Sequence, residues 1–324
     1  MTEEPGAEIV RVRNLEKRFG AFIAVNRIQL DVYQGEIFGF LGPNGAGKST
    51  TIRMLCGILR PTGGEGTVAG FDIIRESEKI KTRIGYMSQK FSLYEDLTVE
   101  ENIDFYAGIY RIPAIRRKEK KDWVIEMAGL QEHRNSPTGS LSGGWKQRLS
   151  LGCAILHEPP VVFLDEPTSG VDPVSRRNFW NLIYGMSEKG VTVFVTTHYM
   201  EEAEYCDRLA LIYHGEIAAI GAPHELKKNL MTQEVLELKC EHPQDVLEPL
   251  EKTPGVRDAA LFGRGLHLVV DDYELARPAL EDALRRLNLP AASLRRIPPS
   301  LEDVFVSLIE QKDRSEPAQR AVSR

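Results

Sequence analysis

The sequence predicts an α/β protein built on a parallel sheet and followed by a second, smaller α/β domain. Three observations carry this. Short, continuously apolar runs, "EIFGFLG" (36–42), "PVVFLDEP" (160–167) and "VTVFVTTH" (191–198), read as strands buried on both faces. Stretches with helical spacing separate them, which gives the strand–helix alternation of a parallel sheet. Beyond "GAPHELKKNLMT" (221–232) the pattern becomes βαββαβ, the ferredoxin-like order.

Taken in order, residues 8–19 and 27–33 alternate as a strand pair, and 36–42 is a buried strand stopping at a glycine. "KSTTIRMLCGIL" (48–59) has helical spacing and is closed by Arg60-Pro61; "PTGGEGTVAG" (61–70) reads as a turn. "RIGYMSQ" is strand-like, and helices dominate 98–130. In "SLSGGWKQRLSLGCAIL" (140–156) the small-residue turn Ser142-Gly143-Gly144 runs straight into a helix, whose first N–H groups are left to face an anion. A helix over 173–188 lies between the strands 160–167 and 191–198. The second domain reads as strand 235–240, helix 243–252, strands 256–262 and 266–270 around Gly263-Arg264-Gly265, helix 273–287 and strand 293–297. A last helix, 300–311, starts at Ser300 with Asp303 three residues on, like a capping box. Residues 312–324 are polar and expected to be disordered.

The 324 residues carry a net charge of −6, which argues against a dedicated nucleic-acid binder. Cys56, Cys153, Cys206 and Cys240 form no CxxC pair and have no histidine cluster beside them, so buried free thiols are expected. The acidic start "MTEEPGAEIVRV" has no apolar core of a signal peptide, and no run approaches the roughly 18 apolar residues of a membrane span. Work at a membrane would need a partner to hold the chain there.

"GPNGAGKST" (42–50) fits G-x-x-x-x-G-K-[ST] and lies between a strand and a helix, as a phosphate-binding loop requires. Gly42, Gly45 and Gly47 let the backbone curl its N–H groups toward phosphates, with Pro43, Asn44 and Ala46 between them. Lys48 reaches the β- and γ-phosphates, Ser49 can ligate Mg²⁺, and Thr50 closes the motif. Asp165 emerges at the C-terminal end of a buried strand, where α/β sheets bind ligands, and can hold the metal; Glu166 adds a carboxylate directed at an attacking water. His198 ends another strand at the same edge, in a position to sense phosphate, and Gln89 could ligate Mg²⁺ through its amide oxygen.

The ordered set "GPNGAGKST", Gln89, "LSGGW", "VVFLDEP", "SGVD" and His198 resembles the ATP-binding subunit of ABC transporters over roughly residues 8–222. The resemblance implies a P-loop NTPase ABC cassette over 1–222, with a mixed sheet core and a helical subdomain at about 90–158. A small C-terminal α/β ferredoxin-like domain follows over 233–311, with a tail over 312–324. It implies ATP and Mg²⁺, ATP hydrolysis, and a head-to-tail pair of cassettes, homodimer or heterodimer. Ser142, Gly143 and Gly144 would then serve a nucleotide held by the partner chain, which answers why one chain needs two phosphate cradles. It also implies that Phe19 stacks on adenine and that Asp172 lies in the loop communicating between sites. Trp145 departs from the family, many of whose members have Gln there. "LSGGWKQR" and "PPSLEDVFVSLI" (298–309) resemble ATPases serving type-2 exporters of drugs, ions or polysaccharides, working through a separate membrane permease at the cytoplasmic face. The alternative is a soluble ABC ATPase of translation or DNA maintenance. One phosphate-binding motif and the short interval 50–141 weigh against it, since such proteins carry two cassettes or long coiled-coil insertions. Phe91, Leu93 and Tyr94 are expected to form a partner-binding groove, with Phe105 and Tyr106 in the core.

Overall fold

The computed structural model describes residues 6–90, 92–231, 233–289 and 294–315. The chain divides into two compact units, Met1–Pro223 and His224–Arg324. Among the described residues no helix is long and apolar enough to cross a membrane.

In the first unit β1 (Glu8–Phe19) and β2 (Phe22–Tyr33) form a long antiparallel hairpin. β3 (Ile37–Leu41) runs through the glycine loop into α1 (Lys48–Leu55). β4 (Gly63–Val68) and β5 (Phe71–Asp72) extend the hairpin to an antiparallel sheet of order β2-β1-β4-β5. α2 (Ser77–Lys81) and β6 (Ile84–Met87) precede three helices, α3 (Val99–Ile109), α4 (Ala114–Ala128) and α5 (Gly143–Ile155), which share their own apolar core. β7 (Val161–Asp165), α6 (Pro173–Ser187), β8 (Thr192–Thr197), β9 (Arg208–Tyr213) and β10 (Glu216–Gly221) complete a second sheet of order β10-β9-β3-β8-β7-β6, parallel except at β10.

Strand alternation divides the burial of this sheet between two faces. Phe38, Phe40, Phe163 and Phe194 point toward α1 and the β1–β2 hairpin, with the Phe194 ring 5.4–5.5 Å from the other three. Ile37, Val162, Leu164, Val193 and Val195 point the other way, against Phe179 and Trp180 of α6 and Leu151 of α5. A sheet buried on both faces needs no polar alternation, which is why these strands read as continuous apolar runs. Its C-terminal edge carries Gly42, Asp165 and His198.

Three expectations need correction. The segment 61–70 is not only a turn: 63–68 is β4. Its glycines pass where side chains would strike β1, since a Cβ at Gly64 would lie 2.1 Å from the Asn14 carbonyl oxygen and one at Gly66 2.9 Å from that of Arg11. α1 stops at Leu55 rather than residue 59, because Gly57 turns left-handed at φ 66°. β2 begins at Phe22, five residues earlier than its apolar alternation suggests, in a hairpin broken by register shifts.

In the second unit α7 (Pro223–Leu230) leads to β11 (Glu234–Lys239), α8 (Pro243–Glu251), β12 (Val256–Phe262), β13 (Gly265–Val270), α9 (Tyr273–Arg286), β14 (Leu294–Ile297) and α10 (Leu301–Ser315). The sheet is antiparallel with order β12-β13-β11-β14, the ferredoxin-like arrangement. The capping box forms: Asp303 Oδ2 accepts from Ser300 N and Oγ at 2.7 Å each, and Asp303 N donates to Ser300 Oγ at 3.1 Å. α10 continues to Ser315, so residues 312–315 of the expected disordered tail are helical; the rest of that tail lies outside the described residues.

Candidate nucleotide site

The loop between β3 and α1 has the shape its glycines dictate. Gly45 and Gly47 adopt φ 80° and 108°. A Cβ at Gly42 would lie 2.2 Å from the Ile212 carbonyl oxygen, and one at Gly47 2.5 Å from that of Ala24. Ala46 N donates to Pro43 O at 3.2 Å, closing the turn, and Gly215 N donates to Ala46 O. Gly47 caps α1 without any side-chain hydrogen bond, so the first N–H groups of the helix are directed at whatever anion the loop holds. Lys48 folds back over this loop, donating to Gly42 O at 2.8 Å and Pro43 O at 3.1 Å.

β7 delivers the two carboxylates. Asp165 Oδ1 accepts from Ser49 Oγ at 3.0 Å and from Thr196 Oγ1 at 2.8 Å. Burial pushes its carboxyl up, against the pull of those two hydroxyls. Glu166 is left-handed at φ 49°, uncommon for a non-glycine residue, and its N–H is fixed by Thr196 O at 3.1 Å and Oγ1 at 3.0 Å. That turn sends consecutive carboxylates to different partners. Glu166 Oε1 lies 3.2 Å from Lys48 Nζ, both side chains buried, while Oε2 accepts from Gln89 Nε2 at 3.0 Å. His198 Nδ1 stands 3.3 Å from the same Oε2 without hydrogen-bond geometry. Ser49 hydroxyl, Asp165 carboxylate and the remaining amide oxygen of Gln89 are hard oxygen donors, a set that fits Mg²⁺.

Lys48, Ser49, Gln89, Glu166 and His198 open on a cleft of about 630 Å³ whose lining includes Asn44, Thr50 and, at the hairpin end, Phe19 and Phe22, whereas Asp165, 1% exposed, is not part of that lining. Phe19 and Phe22 face each other across the β1–β2 turn, 51% and 62% exposed. Exposed aromatics at the mouth of a phosphate cleft suit base stacking. Phe22, and Ser169 as a cleft-lining residue, are not singled out by the sequence. The apolar alternation of the second strand starts only after Phe22, and Ser169 opens "SGVD", a motif that points to Asp172.

Ser142, Gly143 and Gly144 do not line this cleft. Ser142 caps α5 with an extended backbone and no capping bond from its side chain, exposed together with Gly143. Gly144 approaches α6 so closely that a Cβ would lie 2.7 Å from Ser175 Oγ. Trp145 turns into the helical subdomain, its ring 5.3 Å from that of His133 and 4.9 Å from the Arg148 guanidinium carbon. Asp172 caps α6, accepting from Val174 N at 3.0 Å and Ser175 N at 2.9 Å, and the bonds from Ser175 and Val174 hold its carboxyl below the usual range. Of the expected partner groove, Phe91 lies outside the described residues. Leu93 is half-buried against the helical core, and Tyr94 is exposed. Phe105, expected in the core, is instead exposed, its ring 4.6 Å from that of Tyr94; Tyr106 packs inward, as expected.

Residues 25–169 match the family model described as ABC transporter, and 221–309 match that of the ATP-binding protein DrrA1-3-like, C-terminal domain. The probable multidrug ABC transporter ATP-binding protein YbhF of Escherichia coli (strain K12) is 51% identical over 223 residues, 69% of this chain and 39% of that protein. The chain thus spans about two-fifths of YbhF's length. The linearmycin resistance ATP-binding protein LnrL of Bacillus subtilis (strain 168) is 38% identical over 93% of this chain and 98% of its own. Among solved structures, the dimeric post-hydrolysis state of the ATP-binding cassette MJ0796, bound to ADP and Pi, superposes with a TM-score of 0.60. Its identity is 26%, over 66% of this chain and 98% of that one. With its phosphate loop, paired carboxylates and detached "LSGG" helix start, the chain belongs to the family of ABC transporter ATP-binding proteins.

Proposed function

We propose that the chain hydrolyses ATP as the motor subunit of an export system, docked on a membrane permease at the cytoplasmic face. The observation that carries hydrolysis is the Glu166 carboxylate, held between Lys48 and Gln89 with His198 against it. Phosphate oxygens compete for Lys48, and as its ammonium moves to them the carboxylate is freed to act as a base. Glu166 then takes a proton from water as the water oxygen attacks the γ-phosphorus, and the bond to the β–γ bridging oxygen breaks, leaving ADP and phosphate. Ser49, Asp165 and Gln89 would hold Mg²⁺, which would supply charge neutralisation of the phosphates. Lys48 and His198 meet the charge on the transferring group, and Phe19 and Phe22 bracket the base. The MJ0796 cassette with ADP and Pi supports turnover by this architecture. The names of YbhF and LnrL, multidrug and linearmycin resistance, support export and weigh against a role in translation or DNA maintenance.

Ser142, Gly143 and Gly144 complete the site of a second cassette, since they stand away from their own cleft. Asp172 holds the loop between the two sites. Exposed Tyr94 and Phe105, on the segment leaving Gln89 and on α3, form the permease dock. A mixed dimer tests the shared site. Ser142→Arg paired with Lys48→Ala leaves at most one sound site, whereas each homodimer has none. Measurable phosphate release from the mixture above both homodimers is expected. Full-rate hydrolysis by Ser142→Arg alone, or by diluted monomers, overturns the shared site.

A further inference from the structure

One buried charge has no part in the cleft. Glu202 is 1% exposed, on the turn Met200–Tyr205 that follows His198. Its carboxylate accepts a hydrogen bond from Thr168 Oγ1, and its Oε1 lies 3.3 Å from Arg176 Nε. The Arg176 guanidinium carbon stands 4.3 Å from the centre of the Tyr199 ring, and that ring lies 4.1 Å from the His198 ring. Thr168 follows Glu166 by two residues. Arg176 sits in the first turn of α6, its N–H donating to Asp172 O at 2.9 Å. A single carboxylate therefore grips the loop from Glu166 to α6 near both ends and fastens it to the segment carrying His198.

The grip is incomplete. Among the described residues Glu202 Oε2 is buried without a hydrogen-bond partner, and so is Arg176 Nε, which touches Oε1 without bonding it. Unsatisfied buried groups are costly, and a well-packed apolar residue in place of such a pair is often neutral or stabilising. Retaining the pair fits a contact with two settings: the one seen here, and one in which the guanidinium fork engages both carboxylate oxygens.

We propose that Glu202 is a positioning residue for hydrolysis. It ties the loop bearing Glu166 and Asp172 to His198, and the Arg176 contact tightens as that loop shifts. The proposal rests on the hydrolytic reading of the cleft. Its test is Mg-ATP turnover, with melting temperature, for Glu202→Gln, Arg176→Gln, the double variant and Thr168→Val. Glu202→Gln keeps the acceptor for Thr168 and loses the charge facing Arg176. Its kcat should fall about tenfold with KM for ATP within about twofold, because loop geometry changes while no cleft-lining atom is touched. The double variant should be no slower than the slower single, the mark of one shared contact. Wild-type kcat in Glu202→Gln, a loss carried mainly by KM, or additive losses in the double variant overturn the proposal. An inactive wild-type protein overturns the hydrolytic reading instead. Should Glu202→Gln fail to fold, Thr168→Val carries the test: a kcat loss at constant KM supports the proposal, and unchanged kcat overturns it.

Discussion

Replacing Gly47 by alanine perturbs the phosphate loop at a point where the cost can be worked out. At φ 108° an L-residue is strained, by roughly 1–2 kcal/mol. The new Cβ would also sit 2.5 Å from the Ala24 carbonyl oxygen, a backbone atom that cannot rotate away, and such overpacking adds about 1–3 kcal/mol. Gly45 provides the control: its φ is 80°, but a Cβ there meets nothing within 4 Å, so only the roughly 1–2 kcal/mol of strain applies. Urea denaturation should place Gly47→Ala about 2–5 kcal/mol below wild type and Gly45→Ala about 1–2 kcal/mol below. If Gly47→Ala relieves the clash by shifting the loop, even one misdirected N–H to phosphate costs about 1.5–3 kcal/mol, a 10- to 150-fold loss of ATP affinity by titration. Equal stability losses in the two variants, or unchanged ATP affinity in a destabilised Gly47→Ala, would refute the close approach to β2 as the reason for glycine.

Phe105→Glu should weaken association with permease-containing membranes while leaving ATPase rate and melting temperature near wild type, whereas Leu93→Glu should lower the melting temperature. Membrane association unchanged in Phe105→Glu removes that side chain from the dock. Burial holds His157, stacked on Tyr110, down to about 4 from the ordinary 6.5. The unfolded chain takes up that proton near 6.5 and the folded chain resists until about 4, so this contribution is full above 6.5 and lost as pH falls between the two. Melting temperature should drop over that window and His157→Gln should flatten the drop; equal slopes for the two proteins count against it.

The cradle was legible because its chemistry is local. Glycines at 42, 45 and 47, then Lys48 and Ser49, are fixed by spacing between one strand and one helix. Asp165 and Glu166 were legible as strand-end carboxylates, although the left-handed turn that separates their partners was not. What escaped the sequence depends on distant neighbours. "GGEGTV" reads as a turn until β1 lies against it, since glycine there answers to crowding by another strand. Phe105 and Tyr106 are adjacent and equally apolar, yet one faces out and the other in, which only the packing of α3 on the helical core decides. Phe22 comes to the cleft only beside Phe19 across the hairpin. Trp145 breaks a motif, and only its contacts with His133 and Arg148 show that it braces the subdomain.

Glu166→Gln tests the central claim most directly, because the substitution is nearly isosteric and removes only the base. Single-turnover hydrolysis of bound ATP should fall by about 10²–10⁴, with ATP still bound and the protein accumulating as an ATP-held dimer on size exclusion. Hydrolysis at the wild-type rate by this variant would contradict the account.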